Sequence, residues 1–354
     1  MSEQSFSGER PVLITGGAGF IGSNLADRLL ADGERVVLFD NLSRPGVERN
    51  VRWLRERHGD RMRLERRDVR DRGSVRESVA GASAVFHFAA QVAVTTSLDA
   101  PMVDFETNAL GTLHVLEALR ATNPDAPLIF TSTNKVYGGL ERIALTSERG
   151  RYEPRDVGIR ERGLDESTPL AFASPYGCSK GSADQYVLDY ARSFGLPAVV
   201  FRMSCIYGPR QMGTEDQGWV AHFCRQALAG RTVSIYGDGR QTRDLLFVDD
   251  LVDAFLRARA GATQLAGEAF NIGGGPANAA GILEVLAEIG RRQRDEPPRE
   301  FADWRRGDQR YYVSDCSKFT RATGWRPLTP LSVGLAHLHD WLRAHQEEPE
   351  SLAA

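Results

Sequence analysis

The sequence predicts an α/β protein: a doubly wound parallel sheet carrying a smaller α/β substrate-binding lobe. Three observations carry this expectation. Short, nearly continuous apolar runs recur along the first part of the chain, and segments with apolar residues at helical spacing lie between them. The first run passes directly into a glycine-rich turn that opens a helix pattern. Runs that are apolar on both faces suit strands covered by helices on both sides, which is how a parallel sheet is buried.

Taken in order, residues 11–15 (PVLIT) form the first strand. The first helix is bracketed by Leu25, Leu29 and Val36 and ends at Gly33, a natural C-cap. Further strands are expected at 35–39 (RVVLF), 84–88 (AVFHF), 128–131 (LIFT) and 198–201 (AVVF), with helices over 108–119 and 183–190. Residues 11–203 make a first domain. Beyond Met203 the pattern loosens into glycine-rich turns, short strands and isolated helices, so 204–345 reads as a lobe that closes over a ligand. Within it, 243–273 is expected to return to the first domain, because FNIG from Phe270 reads as another buried strand. The ends, 1–10 and the acidic 346–354, lack an apolar pattern and are expected to be disordered.

Composition removes several function classes. With 354 residues, 42% of them hydrophobic, the chain is long enough to bury a full core. A net charge of −3 argues against a dedicated nucleic-acid binder. No apolar run approaches the roughly 20 residues needed to cross a bilayer, and the N-terminus lacks the basic-then-apolar pattern of a signal peptide. Cys178, Cys205, Cys224 and Cys316 lie far apart with no CxxC pair, as expected for reduced thiols in a cytoplasmic protein. His337-Leu338-His339 is the only close histidine pair, and no acid or cysteine at ligand spacing completes it, so no metal is expected. The arginine-rich stretch 44–76 alternates with acids and apolar residues, the pattern of a solvated helix face and its flanking loops.

The most specific signal is Thr15-Gly16-Gly17-Ala18-Gly19-Phe20-Ile21-Gly22. Gly16, Gly19 and Gly22 permit a tight turn, close backbone approach to a pyrophosphate, and close packing of helix on strand. The anion then sits on free N–H groups at a helix N-terminus. A glycine trio alone marks many ordinary turns; a preceding strand and a following helix give it meaning. Asp40 ends the second strand, 18 residues beyond Gly22, where a carboxylate hydrogen-bonds ribose hydroxyls and repels a 2′-phosphate. NAD is therefore expected over NADP. A second reading makes Asp40 a loop cap. Asp68 and Val69 follow the third strand, at the expected adenine edge.

Tyr176 and Lys180 stand four apart, on one face of a helix. A free tyrosine ionises at about 10, too high for a base at neutral pH. A neighbouring lysine and a positive nicotinamide are expected to lower that value, so that the pair takes a proton from a sugar hydroxyl. Thr133, just beyond the fourth strand of the series, is placed to hydrogen-bond the same oxygen.

TGGAGFIG, FHFAAQ, TSTNKVYG, SPYGCSK and GDGRQTRDLLFVDD together resemble the extended short-chain dehydrogenase/reductase family of nucleotide-sugar enzymes. The resemblance covers nearly the whole chain. It implies Tyr176 as base, Lys180 as its partner and Thr133 as third member. It implies that Asn108 supports the active-site backbone. Phe20, Ile21, Asn41, Phe88, Ala89, Ala90 and Gln91 would contact the cofactor, with Ser204 beside the nicotinamide. Arg243 and Arg305 would hold the diphosphate, and Asp308 would contact the substrate. Gln91, Thr96, Asn134, Cys205, Arg210 and Gln211 would contact the substrate. Family members that dehydrate sugars carry Asp-Glu directly after the threonine; here Asn134-Lys135 stands there, and neither residue supplies a carboxylic acid for elimination. STNKVYG, SPYGCSKG, DQGWV and the insertion between Tyr137 and Tyr176 are most similar to the branch of 2-epimerases acting on CDP-paratose and CDP-tyvelose. That likeness implies a nucleotide-sugar 2-epimerase, active as a homodimer through the helices near 108–120 and 176–190. A UDP-sugar 4-epimerase using the same three residues is the alternative.

Overall fold

The computed structural model describes residues 10–147, 150–293, 295–305 and 307–345. The expectations for 1–9 and 346–354 lie outside these. Seven parallel strands form the main sheet, in the spatial order Ala269–Ile272, Ala198–Met203, Leu128–Thr133, Ala84–His87, Val12–Thr15, Val36–Asp40 and Met62–Arg66. The strand order reverses between Val12–Thr15 and Ala84–His87, which opens a crevice at their carboxyl ends. Both faces are buried. Leu25, Leu29, Leu54, Leu251 and Phe255 pack with Ile14, Leu38 and Phe86 on one side. Val75, Val79, Val115, Leu119, Val187 and Ala191 pack with Leu13, Val85 and Phe130 on the other. This double covering is why the strands read as apolar runs without alternation.

The helices follow the periodicity, with shifted ends. The first spans Phe20–Ala31 and stops two residues before Gly33, which takes a left-handed φ of 91° in the exit turn. The helix around Tyr176 runs the full length of Ser174–Phe194. The stretch from Asn108 is not uniform: Glu106–Leu110 is a π-helical turn, and the α-helix Gly111–Thr122 follows it.

A smaller sheet is centred on Thr242–Phe247, which pairs antiparallel with Ala279–Gly281 and parallel with Cys205–Tyr207 and Tyr311–Tyr312. The stretch 243–273 is thus divided. Its first strand belongs to this smaller sheet, while Ala269–Ile272 joins the edge of the main one. Val248–Ala260, between them, packs on the first helix. The insertion before Tyr176 also leans on the smaller sheet: Tyr152 N donates to the Arg240 carbonyl at 2.9 Å, and Leu164 N to that of Val313 at 2.8 Å. Among the described residues, no helix is long and apolar enough to cross a membrane.

Candidate active site

At the crevice the chain leaves its first strand through Gly16, whose φ is 68°. A Cβ on Gly16 would lie 2.7 Å from the Ala89 backbone nitrogen, and one on Gly22 would lie 2.4 Å from the Gly16 carbonyl oxygen. Neither contact is tolerable, so these glycines draw the helix and the neighbouring strand onto the turn. Gly17, outside the trio, is equally confined, its Cβ position lying 2.8 Å from the Ile14 carbonyl oxygen. Gly19 caps the helix without a side-chain hydrogen bond, leaving its first amides to a ligand.

The cleft above this turn brings Gly16, Gly19, Phe20, Ile21 and Gly22 together with Asp40, Asn41, Asp68 and Val69. Phe88, Ala89 and Ala90 form its other wall. The Asp40 carboxylate accepts from Ala18 N at 3.0 Å and Leu42 N at 2.9 Å, while burial raises its pKa. It therefore holds the glycine turn as well as facing the cleft. Asp68 is clamped by Arg70 at 2.8 and 3.0 Å and accepts from Asn41 at 2.9 Å; the Arg70 hydrogen bonds hold its carboxyl down to about 2. A backbone cradle without Cβ atoms, an uncapped helix start and a carboxylate at the ribose position fit NAD.

Asn108, Gln91 and Ser204 stand behind these walls. Asn108, buried in the π-helical turn, accepts from Gln91 N at 2.8 Å and donates to the Gln91 carbonyl at 3.0 Å. It also donates to Asp104 and Ser179, each at 3.1 Å. Ser179 donates to Asp104 in turn. This buried network ties the end of the Ala84–His87 strand to the helix bearing Tyr176 and Lys180. Asp104 and Ser179 escaped sequence reasoning, because an acid and a serine 75 positions apart carry no pattern. Ser204 donates to Asp244, a fully buried carboxylate that also accepts from Gly275 N.

Thr133 ends its strand and Tyr176 sits in the first turn of its helix, where the Thr133 hydroxyl acts on the phenol and lowers its pKa. Lys180, one turn on, is 3% exposed, and its Nζ lies 4.3 Å from the centre of the Phe130 ring. Among the protein's own residues, burial dominates the electrostatics of both groups. Burial pushes Tyr176 up to about 12, against the lowering by Thr133. Burial also pushes Lys180 down to about 7, opposed by Asp184 and Asp104. Desolvation outweighs the neighbouring groups at both residues.

Thr133 and Tyr176 open onto a cavity of about 380 Å³, which also gathers Asn134, Cys205, Arg243, Arg305 and Asp308. Asn134 lies 3.4 Å from Gln309 Oε1, and Gln309 donates to the Gly138 carbonyl at 2.7 Å. Lys135 reaches the Gly307 carbonyl at 3.2 Å and pairs with Asp308 at 3.6 Å. Arg243, nearly buried, pairs with the same Asp308 at 2.7 Å and donates to the Gln309 carbonyl at 2.5 Å. Arg305 lies over the Tyr236 ring at 3.8 Å, donates to the Glu215 carbonyl at 3.0 Å and pairs with Asp216 at 3.3 Å. Val92, Val94, Leu98, Trp219, Phe223 and Ile282 supply an apolar wall.

Four expected substrate contacts do not line this cavity: Gln91, already placed behind the cofactor walls, and Arg210, Gln211 and Thr96. Arg210 lies in a different cleft, its guanidinium 2.9 Å from the centre of the Trp53 ring. Gln211 is buried and donates to the Ile206 carbonyl at 3.1 Å. Thr96 is exposed; its neighbour Thr95 lines the cavity, with a buried hydroxyl that has no partner among the described residues. The short helix Val94–Asp99, unmarked in the sequence, decides which threonine faces inward.

A glycine cradle beside a Thr–Tyr–Lys group, with an arginine-lined cavity in front of it, defines an NAD enzyme of the extended short-chain dehydrogenase/reductase type. The chain belongs to the NAD dependent epimerase/dehydratase family, whose model matches residues 12–273, and its cofactor is NAD. It is 43% identical over 343 residues to the CDP-paratose 2-epimerase of Salmonella typhi, covering 93% of this chain and 98% of that protein. It is 34% identical over 334 residues to the UDP-glucose 4-epimerase of Mycolicibacterium smegmatis, covering 94% and 98%. The crystal structure of the Thermotoga maritima UDP-glucose 4-epimerase with UDP-glucose superposes with a TM-score of 0.81 at 31% identity, covering 95% of this chain and all of that one.

Proposed function

We propose that the chain is a nucleotide-sugar 2-epimerase of the CDP-paratose/CDP-tyvelose type, inverting C2 through transient oxidation to a 2-keto sugar. The observation that carries this reading is Asn134-Lys135 directly after Thr133, in a chain whose likeness to a CDP-paratose 2-epimerase spans nearly both lengths. The cavity has no carboxylic acid at those two positions, so elimination of water lacks its acid and base. Its apolar wall suits a deoxygenated sugar, which loses few hydrogen bonds when it turns over.

NAD, held on the glycine cradle and beside Asp40, supplies the hydride acceptor and donor. The protein's own residues handle the proton. Tyr176 takes it from the C2 hydroxyl and returns it in the second half of the reaction, and Thr133 orients that oxygen. With burial as the main cause raising the phenol to about 12, the positive charge of bound oxidised NAD would lower it toward the range of a base. Lys180 and the Asn108–Asp104–Ser179 network hold the helix in register. Arg243 and Arg305 are placed for the diphosphate, with Lys135 and Asp308 closing that end. The same three residues would also serve a UDP-sugar 4-epimerase, a reading favoured by the likeness to the mycobacterial and Thermotoga enzymes.

We further read the chain as a cytoplasmic homodimer. Phe194 and Tyr186 on the helix Ser174–Phe194, and Phe105 and Met102 beside it, are 46–66% exposed, an apolar face that a second copy would cover.

The test is proton NMR of CDP-paratose and UDP-glucose incubated with the protein in deuterated water. Inversion at C2 without deuterium incorporation is expected. Inversion of UDP-glucose at C4 alone moves the assignment to the alternative, and deuterium at the inverted carbon overturns hydride return.

A further inference from the structure

On the far side of the helix Val47–His58 lies a second cleft, distinct from the cofactor cleft and the substrate cavity. It opens between that helix and the helices Trp219–Leu228 and Leu331–Ala344. Its lining is strongly basic: Arg49, Arg52, Arg210, Arg225 and Arg231 face two carboxylates, Glu56 and Glu215. The arginine-rich stretch that the sequence presents as a solvated face therefore has one side turned into a concave surface.

Arg210 is the most informative of these. Its guanidinium is half-buried on the Trp53 ring, with the centre of the Trp341 ring 5.9 Å away. It makes no hydrogen bond or ion pair among the described residues, although a guanidinium has five N–H donors to satisfy. Burial pushes it down to about 10, and the nearby Asp27 carboxylate offsets this only in part. Its backbone is also in the left-handed region, at φ 70°, a conformation that costs an ordinary side chain about 1 kcal/mol or more and persists where surroundings enforce it. Independently, the indole N–H of Trp341, in the same cleft, is buried with no acceptor. A half-buried cation without an ion pair and a buried donor without an acceptor, beside two indole rings and rimmed by further arginines, are complementary to one chemistry: an anion carried on a flat ring.

We propose that this cleft is a second binding site of the protein, taking a nucleoside di- or triphosphate. Its phosphates would pair with Arg210, Arg52 and Arg231, and its base would lie against the tryptophans. Arginine's planar fork binds phosphate oxygens two at a time, and indole faces stack any base, so the site selects the class more than the base. The cleft has space of about 790 Å³, roughly twice that of the substrate cavity at about 380 Å³. The two share Glu215 as a wall.

The experiment is calorimetric titration of the full-length protein with CTP after saturation with NAD and CDP, so that the catalytic cavity is already filled. One further equivalent is expected to bind, quenching tryptophan fluorescence and weakening as salt is raised. R210A should weaken it by about tenfold or more, the loss expected for a charge-assisted contact. R52A/R231A, with both changes at exposed positions, should do the same without altering the melting temperature or epimerisation. R305A, in the catalytic cavity, should leave this equivalent intact while weakening CDP. Absence of a further equivalent, equal binding by R52A/R231A and the unmodified protein, or equal heat and quenching from sulfate at matched ionic strength would each overturn the proposal.

Discussion

The two halves of the candidate active site are built on different principles. On the main sheet the cofactor cleft is a property of the backbone: glycines where a Cβ would collide, an uncapped helix start, a carboxylate ending a strand. Before the smaller sheet, the substrate cavity is a property of side chains paired across long stretches of sequence. Lys135 and Arg243 converge on Asp308, and Asn134 meets Gln309. Backbone requirements leave fixed local spacings. Side-chain pairing leaves none, since 173 positions separate Lys135 from Asp308 and any cation would satisfy the same acid.

Substitutions on the two sides should therefore fail differently, and the largest effect belongs where the halves meet. Y176F should lower turnover by about a thousandfold while leaving bound NAD unchanged, measured by the NMR assay and the dinucleotide content of the purified protein. On the backbone side, G22A places a methyl 2.4 Å from a carbonyl oxygen. It should cost about 3 kcal/mol in urea unfolding and strip the cofactor, with no intermediate phenotype. On the side-chain side, R243A should cost a similar or slightly smaller amount, about 2–3 kcal/mol, because it removes a buried guanidinium and leaves the part-buried Asp308 carboxylate with Lys135 alone. R305A, at a more exposed pair, should leave unfolding unchanged and raise KM by about tenfold. If G22A kept its cofactor, or R305A destabilised as much as R243A, the contrast between the halves would fail.

A further contrast is one of pH. Lys180 sits at about 7 in the folded protein, against about 10.5 for an unfolded lysine. Between these values the folded state binds fewer protons than the unfolded one, so this residue's contribution to stability rises with pH across the window and its burial penalty is complete below about 7. K180M should accordingly melt higher than the unmodified protein at about pH 6, with the advantage shrinking toward about pH 10, as followed by calorimetry.

The sequence made the main sheet legible because apolar runs and glycine turns are local. It named Thr133, Tyr176 and Lys180 from spacing and likeness; the fold opens the first two onto one cavity and buries Lys180 a helical turn on. It did not reveal that Asp40 also holds the glycine turn, nor that burial would dominate the tyrosine–lysine electrostatics, since desolvation depends on what surrounds a residue in space. Arg210 illustrates the same limit. Its neighbours in sequence suggest a sugar contact, whereas its neighbours in space are two tryptophans from opposite ends of the chain.

The short run from Glu215 to Gln217 borders three separate spaces: Glu215 faces the arginine cleft and the substrate cavity, and Gln217 faces the substrate cavity and the cofactor cleft. It is the least modular part of the molecule. Recruitment of this scaffold to a new sugar would be constrained there first, because a change that improves one compartment is inherited at once by its neighbours. Divergence in specificity should instead accumulate on the apolar wall across the cavity, where Leu98 and Ile282 touch one compartment alone.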